Sequence, residues 1–104
     1  MQRPRSAVES QKGSARDRFE VDFLNIKQVR YFVAVFQSGS LSAAAKEQYV
    51  TVQAVSKAIA DLERELKNEL FVRESRGVHP TLCGKAFYVK AEPVLRSFAE
   101  LEAF

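Results

Sequence analysis

The stretch from Thr51 to Leu66 carries its apolar residues at the spacing of an α-helix. These residues recur at intervals of three and four positions, which places them in one stripe along one side of the helix. The stripe consists of Val55, Ile59, Leu62 and Leu66. Thr51 stands just before it and is a residue type that caps helix N-termini. Because a helix with one apolar side must pack against other elements, the segment predicts a helical domain.

The polar side of this helix changes in charge along its length. Residues 51–60 include one lysine, Lys57, and no acid, whereas residues 61–65 include three acids. Carboxylates are repelled by DNA phosphates, and a helix in the major groove needs side chains that donate and accept hydrogen bonds. The pattern therefore favours a helix whose N-terminal half contacts DNA.

Cap residues and turn residues divide the rest of the chain. Asn25 and Gln28 have the spacing of a capping box and predict a first helix to about Ser38, which Gly39 ends in a left-handed conformation. Ser40 caps a short second helix, LSAAAKEQ. The connection YV is brief, so the second and third helices form a helix-turn-helix. The second helix of such a unit enters the major groove.

A hairpin and a long helix follow the third helix. The segments LFVRE and VHP flank the turn SRG, in which Gly77 can take positive φ, and Pro80 ends the second strand. Thr81 caps the last helix, which contains Pro93 and should be kinked or weakened there. Its apolar residues alternate in steps of four and three, as in a heptad seam. The seam consists of Phe87, Ala91, Val94, Phe98 and Leu101. We expect this seam to form a homodimer; packing on the chain's own core is the alternative.

These elements predict a mainly α fold. It is a winged helix-turn-helix with a three-helix core and a small β-hairpin wing, followed by a long dimerisation or linker helix. We expect the winged domain over residues 25–80, with the helix-turn-helix at about 41–60 and the wing at about 70–80. Residues 81–104 would be the linker and dimerisation helix. Residues 1–24 would be a disordered or extended N-terminal tail.

Composition limits the function without identifying it. A chain of 104 residues suits one domain, and a net charge of +3 is compatible with a nucleic-acid partner but too small to indicate one. The single cysteine, Cys83, excludes an internal disulfide and fits a reducing compartment. No apolar run reaches the roughly 20 residues of a membrane span, and the N-terminus lacks a signal-peptide pattern. We expect a cytoplasmic protein that is not an enzyme and has no metal, cofactor or membrane partner, since no catalytic or ligand cluster is present.

Six motifs occur in one order over residues 25 to about 90: RYFVAV, GSLSAAA, AVSKAI, LERELKNELFVR, RGV and TLCGKA. Together they resemble the DNA-binding domain of LysR-type transcriptional regulators. The resemblance implies a bacterial transcription factor that binds double-stranded DNA sequence-specifically and dimerises through the last helix. It also implies a dimer of dimers in a full-length protein. A small-molecule effector follows only if an effector-binding domain succeeds that helix.

The resemblance also implies contacts for individual residues. Thr51, Val52 and Gln53 fall at the start of the family's recognition helix, where a Ser or Thr cap is usually followed by Gln and then Pro. Here the Gln comes one position later and no Pro follows, so the main base-reading side chain is moved by about 100° around the helix or replaced. Ser56 and Lys57 match a Ser-Arg pair that contacts phosphate and the groove edge; Lys keeps the charge but loses bidentate geometry.

Wing residues extend the implied interface. Arg76 matches the wing residue that reaches the minor groove, and Arg73 matches the arginine that closes the first wing strand. Pairing of Arg73 with Glu69 or Glu74 is the alternative to DNA contact.

Asn68 is expected as the left-handed residue at the end of the recognition helix.

Two functions fit these features. The first is sequence-specific DNA binding as a dimer. The second is a winged helix that associates with other proteins without reading DNA. The acid-free start of the third helix favours the first.

Overall fold

The computed structural model describes residues 24–104 of the chain. The elements are, in order, α1 (Ile26–Ser38), α2 (Leu41–Gln48), α3 (Val52–Leu66), β1 (Phe71–Glu74), β2 (Gly77–Pro80) and α4 (Leu82–Glu102). This order confirms the mainly α winged fold, with an antiparallel β1–β2 hairpin as the wing. The expectation for the N-terminal tail lies outside the described residues. None of the described helices is long and apolar enough to cross a membrane.

Side chains cap the helix N-termini at the predicted positions. In the capping box of α1, the Gln28 backbone N donates to Asn25 Oδ1 at 2.9 Å, and the Asn25 backbone N donates to Gln28 Oε1 at 3.1 Å. The hydroxyl oxygens of Ser40, Thr51 and Thr81 accept from the third backbone N–H of α2, α3 and α4. Each cap satisfies a backbone donor that the helix leaves unpaired, and it contributes about 1 kcal/mol.

The helix C-termini follow the predictions only in part. Gly39 ends α1 with φ 71°, as predicted. The prediction of Asn68 as the left-handed residue after α3 is wrong, because Lys67 takes that conformation with φ 59°. The Asn68 backbone N donates to the Glu63 carbonyl at 3.1 Å, and this bond closes the turn around Lys67. Tyr49 ends α2 in the same way, with φ 59°.

Phe32 of α1 lies at the centre of the core and is fully buried. Its ring centroid is 5.3 Å from that of Phe71 in β1 and 5.0 Å from that of Phe87 in α4, the latter edge-on. The predicted stripe of α3 packs into the same core: Val55, Ile59 and Leu62 are buried and Leu66 is partly buried. One aromatic side chain therefore joins the wing and α4 to the helical body.

The predicted seam of α4 is divided between the core and the surface. Ala91 is buried and Phe87 is partly buried against the core of the same chain. For these two residues the structure shows the alternative of packing on the chain's own core. The cause is geometric, since the face of α4 that covers Phe32 must carry them. Val94 and Leu101 are 56% and 68% exposed, and α4 is one helix across Pro93.

Two glycines allow close backbone contacts around the wing. A Cβ at Gly84 would overlap the carbonyl oxygen of Leu70, which also accepts from the Thr81 backbone N at 3.0 Å. A Cβ at Gly77 would lie 2.6 Å from the carbonyl oxygen of Gly39, and the Val78 backbone N donates to that same oxygen at 3.2 Å. The first contact places the start of α4 against the residue that precedes β1, and the second places the wing against the α1–α2 turn.

We predict that Gly84→Ala lowers the free energy of unfolding by about 1–3 kcal/mol, because the new methyl group meets a backbone carbonyl that cannot turn away. Helix propensity alone predicts the opposite sign, a gain of about 1 kcal/mol. Urea unfolding of the variant and the parent measures the difference. The neighbouring exposed change Lys85→Ala is the control and should stay within about 0.5 kcal/mol. A stabilised Gly84→Ala protein would contradict the contact.

Candidate nucleic-acid interface

The N-terminal half of α3 presents a polar surface without acids. Thr51, Val52, Gln53 and Lys57 are exposed, and Ser56 is half-buried at the edge of the helix. The Thr51 hydroxyl oxygen accepts from the Ala54 backbone N at 3.0 Å, which fixes the start of the helix. The opposite side of α3 is held in the core. These side chains therefore project from a rigid support.

Lys57 is paired within its own helix. Its Nζ lies 2.9 Å from Asp61 Oδ2, and Arg64 contacts the other oxygen of the same carboxylate. The hydrogen bond from Lys57, together with that from Arg64, lowers the pKa of the Asp61 carboxyl below its usual value, against the opposing effect of desolvation. Sequence reasoning missed this partner, although the spacing of four residues between Lys57 and Asp61 is a known signal for a helical ion pair.

Arg73 connects the wing to α3. Its Nη2 donates to Ser56 Oγ at 2.8 Å. The expected alternative of pairing with Glu69 or Glu74 is not what the structure shows. Residues two apart on a strand point to one side, so Arg73 follows Phe71 towards the body while Glu74 points away. Glu74 Oε1 lies 3.2 Å from His79 Nε2 instead.

Two of the predicted contact residues touch each other, and one lies apart from them at the tip of the wing. Ser56 and Arg73 are brought together by their hydrogen bond, one helical turn from the exposed start of α3. Arg76 is exposed in the two-residue turn between β1 and β2. Sequence reasoning missed Lys27 of α1, which lines a groove between α1 and α3 together with Lys57 and Asp61. Its position in the first turn of α1 gave no signal.

Glu63 fixes the distance between α3 and the wing. Its Oε2 accepts from the backbone N of Leu70 at 2.7 Å and from the backbone N of Phe71 at 3.2 Å. These are the last residue before β1 and its first residue. The carboxylate thus supplies an acceptor for two backbone donors and holds β1 beside the C-terminal half of α3.

We predict that Glu63→Ala lowers the free energy of unfolding by about 1–3 kcal/mol, because two partly buried N–H groups lose their acceptor. The exposed Glu65 lies two residues further along α3, and Glu65→Ala removes the same charge without those bonds. Thermal and urea unfolding of both variants measures the effect. Equal stabilities for the two variants would show that the Glu63 bonds contribute nothing.

Residues 24–104 contain no group of three or more His, Cys, Asp or Glu side chains placed to hold a metal ion.

A helix-turn-helix whose second helix is exposed at its start, with a hairpin beside it, defines a winged helix-turn-helix protein. Residues 26–85 match the family model described as bacterial regulatory helix-turn-helix protein, lysR family. The chain belongs to that family.

Relatives in the family are regulators. The chain is 40% identical over 73 residues to the nitrogen assimilation regulatory protein nac of Escherichia coli strain K12, a match that covers 70% of this chain and 24% of that protein. It is 38% identical over 72 residues to a virulence genes transcriptional activator of Salmonella typhimurium strain LT2, which covers 69% and 24%. The chain thus spans about a quarter of the length of the relatives it matches.

Solved structures show the same fold. The CbnR DBD–DNA complex is similar with a TM-score of 0.72 and 30% identity, over 77% of this chain and 92% of that chain. The BenM DBD complex with catB site 1 DNA is similar with a TM-score of 0.73 and 32% identity, over 77% and 90%.

Proposed function

We propose that this chain is the DNA-binding module of a bacterial LysR-type transcriptional regulator and that it binds double-stranded DNA sequence-specifically. The observation that carries the proposal is the exposed, acid-free N-terminal half of α3, held at its back by the core and at its side by Arg73. Similar structures bound to DNA support it. We assign residues 25–80 to the DNA-binding domain and residues 81–104 to the linker and dimerisation helix.

In the proposed complex, α3 enters the major groove and its first turn meets base edges. Thr51, Val52 and Gln53 form that turn. Arg76, exposed at the tip of the wing, reaches the adjacent minor groove. Base contacts of this kind specify the sequence, whereas phosphate contacts set the position of the protein on the duplex.

Phosphate contacts come from residues beside the first turn of α3. Lys57 and Ser56 lie one turn into the helix, and Arg73 is already ordered by its bond to Ser56. Because that guanidinium has further N–H groups, it can hold Ser56 and donate to a phosphate at the same time. Lys27, on the same groove as Lys57, supplies another cation.

Asp61 partly neutralises the positive charge of Lys57 and Arg64 on α3. Its carboxylate is shared by Lys57 and Arg64, so the ammonium of Lys57 faces DNA with its local positive charge partly balanced. Lys57 remains 77% exposed and can turn to a phosphate.

We predict that Lys57→Ala weakens binding to specific and random duplexes by similar factors and reduces the slope of log K against log salt by about 0.9, the value for one phosphate contact. Gel shifts in 50 and 200 mM salt measure both quantities. Lys85→Ala, on the exposed side of α4, removes the same charge as a control and should keep the parent slope.

Gln53→Ala should instead relax sequence preference at one or two positions of the bound duplex, by about 1–3 kcal/mol.

The competing function is a winged helix that associates with another protein. It would give absent or salt-insensitive DNA binding in the same gel shifts. The placement of all three acids between residues 61 and 65, away from the start of α3, argues against it, since a protein partner imposes no such separation. A specific duplex bound with a steep salt dependence would exclude it.

We further propose that the chain forms a homodimer through α4. Val94 and Leu101 are exposed on it, with Phe98 half-buried between them. Phe87 and Ala91 belong to the same predicted seam, and their packing on the core holds the helix in place for a partner. Exposed aliphatic residues at heptad spacing are the pattern that a second helix covers. A dimer of dimers is proposed for a longer protein only.

We predict that Val94→Asp converts the dimer to a monomer, because the seam would bury an unpaired carboxylate. Sedimentation equilibrium measures the mass, and an unchanged far-UV circular dichroism spectrum of the monomer shows that the fold is kept, since loss of the partner by itself lowers the melting temperature. Val72→Asp is the matched control, since Val72 is 43% exposed on the wing. A wild-type chain that is monomeric at tens of micromolar, or a dimeric Val94→Asp protein, would overturn this assignment.

The remaining assignments follow from the proposed target. We place the protein in the cytoplasm, where a bacterial chromosome is accessible, and assign it no catalytic activity, metal or cofactor. The relatives that it matches are regulators rather than enzymes. A small-molecule effector is proposed only for a longer protein with an effector-binding domain after α4.

A further inference from the structure

The first residue of α3 is an exposed aliphatic side chain. Val52 is 39% exposed, and within the described part of the chain it is not among the apolar residues packed against the core. It directly follows the cap residue Thr51, whose hydroxyl is engaged with the Ala54 backbone N. The fold therefore gains little from an apolar side chain at this position.

The position of Val52 directs its methyl groups outwards. In an α-helix each Cα–Cβ bond tilts towards the N-terminus, so a side chain in the first turn points beyond the end of the helix. The N-terminal end of α3 is the part that the proposed function places in the major groove. Val52 thus lies at the end of α3 that would enter the groove first.

The chemistry of the first turn limits which bases it can read. Guanine is read mainly by bidentate Arg or Lys, adenine by Asn or Gln, and thymine by apolar contact with its C5-methyl group. Residues 51–54 have no charged side chain. The nearest cation on α3 is Lys57, which is held by Asp61 at 2.9 Å. The first turn therefore has no Arg or Lys for a bidentate contact with guanine, whereas Val52 and Gln53 have the side chains that suit the thymine and the adenine of A·T pairs.

Val52 has one favourable partner among the base edges. Its side chain neither donates nor accepts a hydrogen bond, so apposition to a base N–H or carbonyl would remove water from that group without replacing its bond. The C5-methyl of thymine is the apolar group that the major groove offers. We propose that Val52 packs against the C5-methyl of a thymine and makes the module selective for a T·A pair at that position. The proposal rests on the proposed function and names what the first turn of α3 recognises.

Replacing thymine by deoxyuridine tests the contact, because it removes the C5-methyl and leaves every hydrogen-bonding group in place. A bound duplex is first selected from a random pool with the wild-type chain. Each thymine of the selected site is then replaced singly by deoxyuridine, and the dissociation constants are measured at one salt concentration. At one thymine in each half-site we expect a loss of about fourfold, the value for burial of one methyl group.

Variants then assign that loss to a residue. Val52→Ala should bind the thymine and deoxyuridine duplexes with affinities that differ by less than about 1.5-fold, since the two γ-methyl groups that extend towards the base are removed. Val72→Ala, which shortens an exposed valine on the wing, should keep the fourfold difference. Both variants should melt at the temperature of the wild type, which shows that the fold is unchanged.

The possible outcomes distinguish the contact between Val52 and thymine from the proposed DNA-binding function on which it rests. A fourfold loss that Val52→Ala abolishes and Val72→Ala retains supports the contact. Specific binding in which no thymine is sensitive overturns the contact and leaves the DNA-binding function intact. A sensitive thymine whose effect persists in Val52→Ala also overturns it, because another side chain then reads that methyl. If the wild type selects no duplex at all, the proposed function fails and the contact with it.

Discussion

The packing of Phe32 is the constraint on which the other elements depend. Its ring, fully buried, meets Phe71 of the wing and Phe87 of α4, so one residue of α1 sets where both later elements lie. The apolar stripe of α3 packs into the same core. Because the interior is close-packed, a shift of any of these elements would open a void beside the ring. The exposed N-terminal half of α3 is therefore held in a fixed position by the core.

The two halves of α3 serve different purposes, and its acids show this most clearly. Glu63 bonds the backbone of Leu70 and Phe71 and so belongs to the fold. Asp61 binds Lys57 and Arg64 and adjusts the charge of the surface. A helix of this length can bond the wing with its C-terminal half and leave the polar side of its N-terminal half exposed and free of acids. This separation explains why the acids stand where they do.

Much of the fold could be predicted from sequence because its signals are local. The caps, Gly39 and the α3 stripe each depend on residues within one or two turns of one another. The contacts that could not be predicted join distant positions: Arg73 bonds a residue 17 positions earlier, and Glu63 bonds backbone atoms that carry no sequence signal. A heptad pattern also does not say which side of a helix faces its own core, so the sequence leaves both dimerisation and packing on the core open for Phe87. For the site, residue types were predictable, but the pairing of Lys57 was missed.

The contact between Gly84 and the Leu70 carbonyl has a consequence for the target. It leaves no room for α4 to swing at its base, because the start of the helix rests directly on the backbone that precedes the wing. In a pair of chains joined along α4, each reading helix would then be carried on a stiff arm rather than on a hinge. The distance between the two α3 helices of such a pair would be fixed, and a duplex whose half-sites have a different spacing has to bend or twist to fit. The elastic cost, of order 1–6 kcal/mol for bends of tens of degrees, would fall on the DNA, so its deformability becomes part of what is recognised.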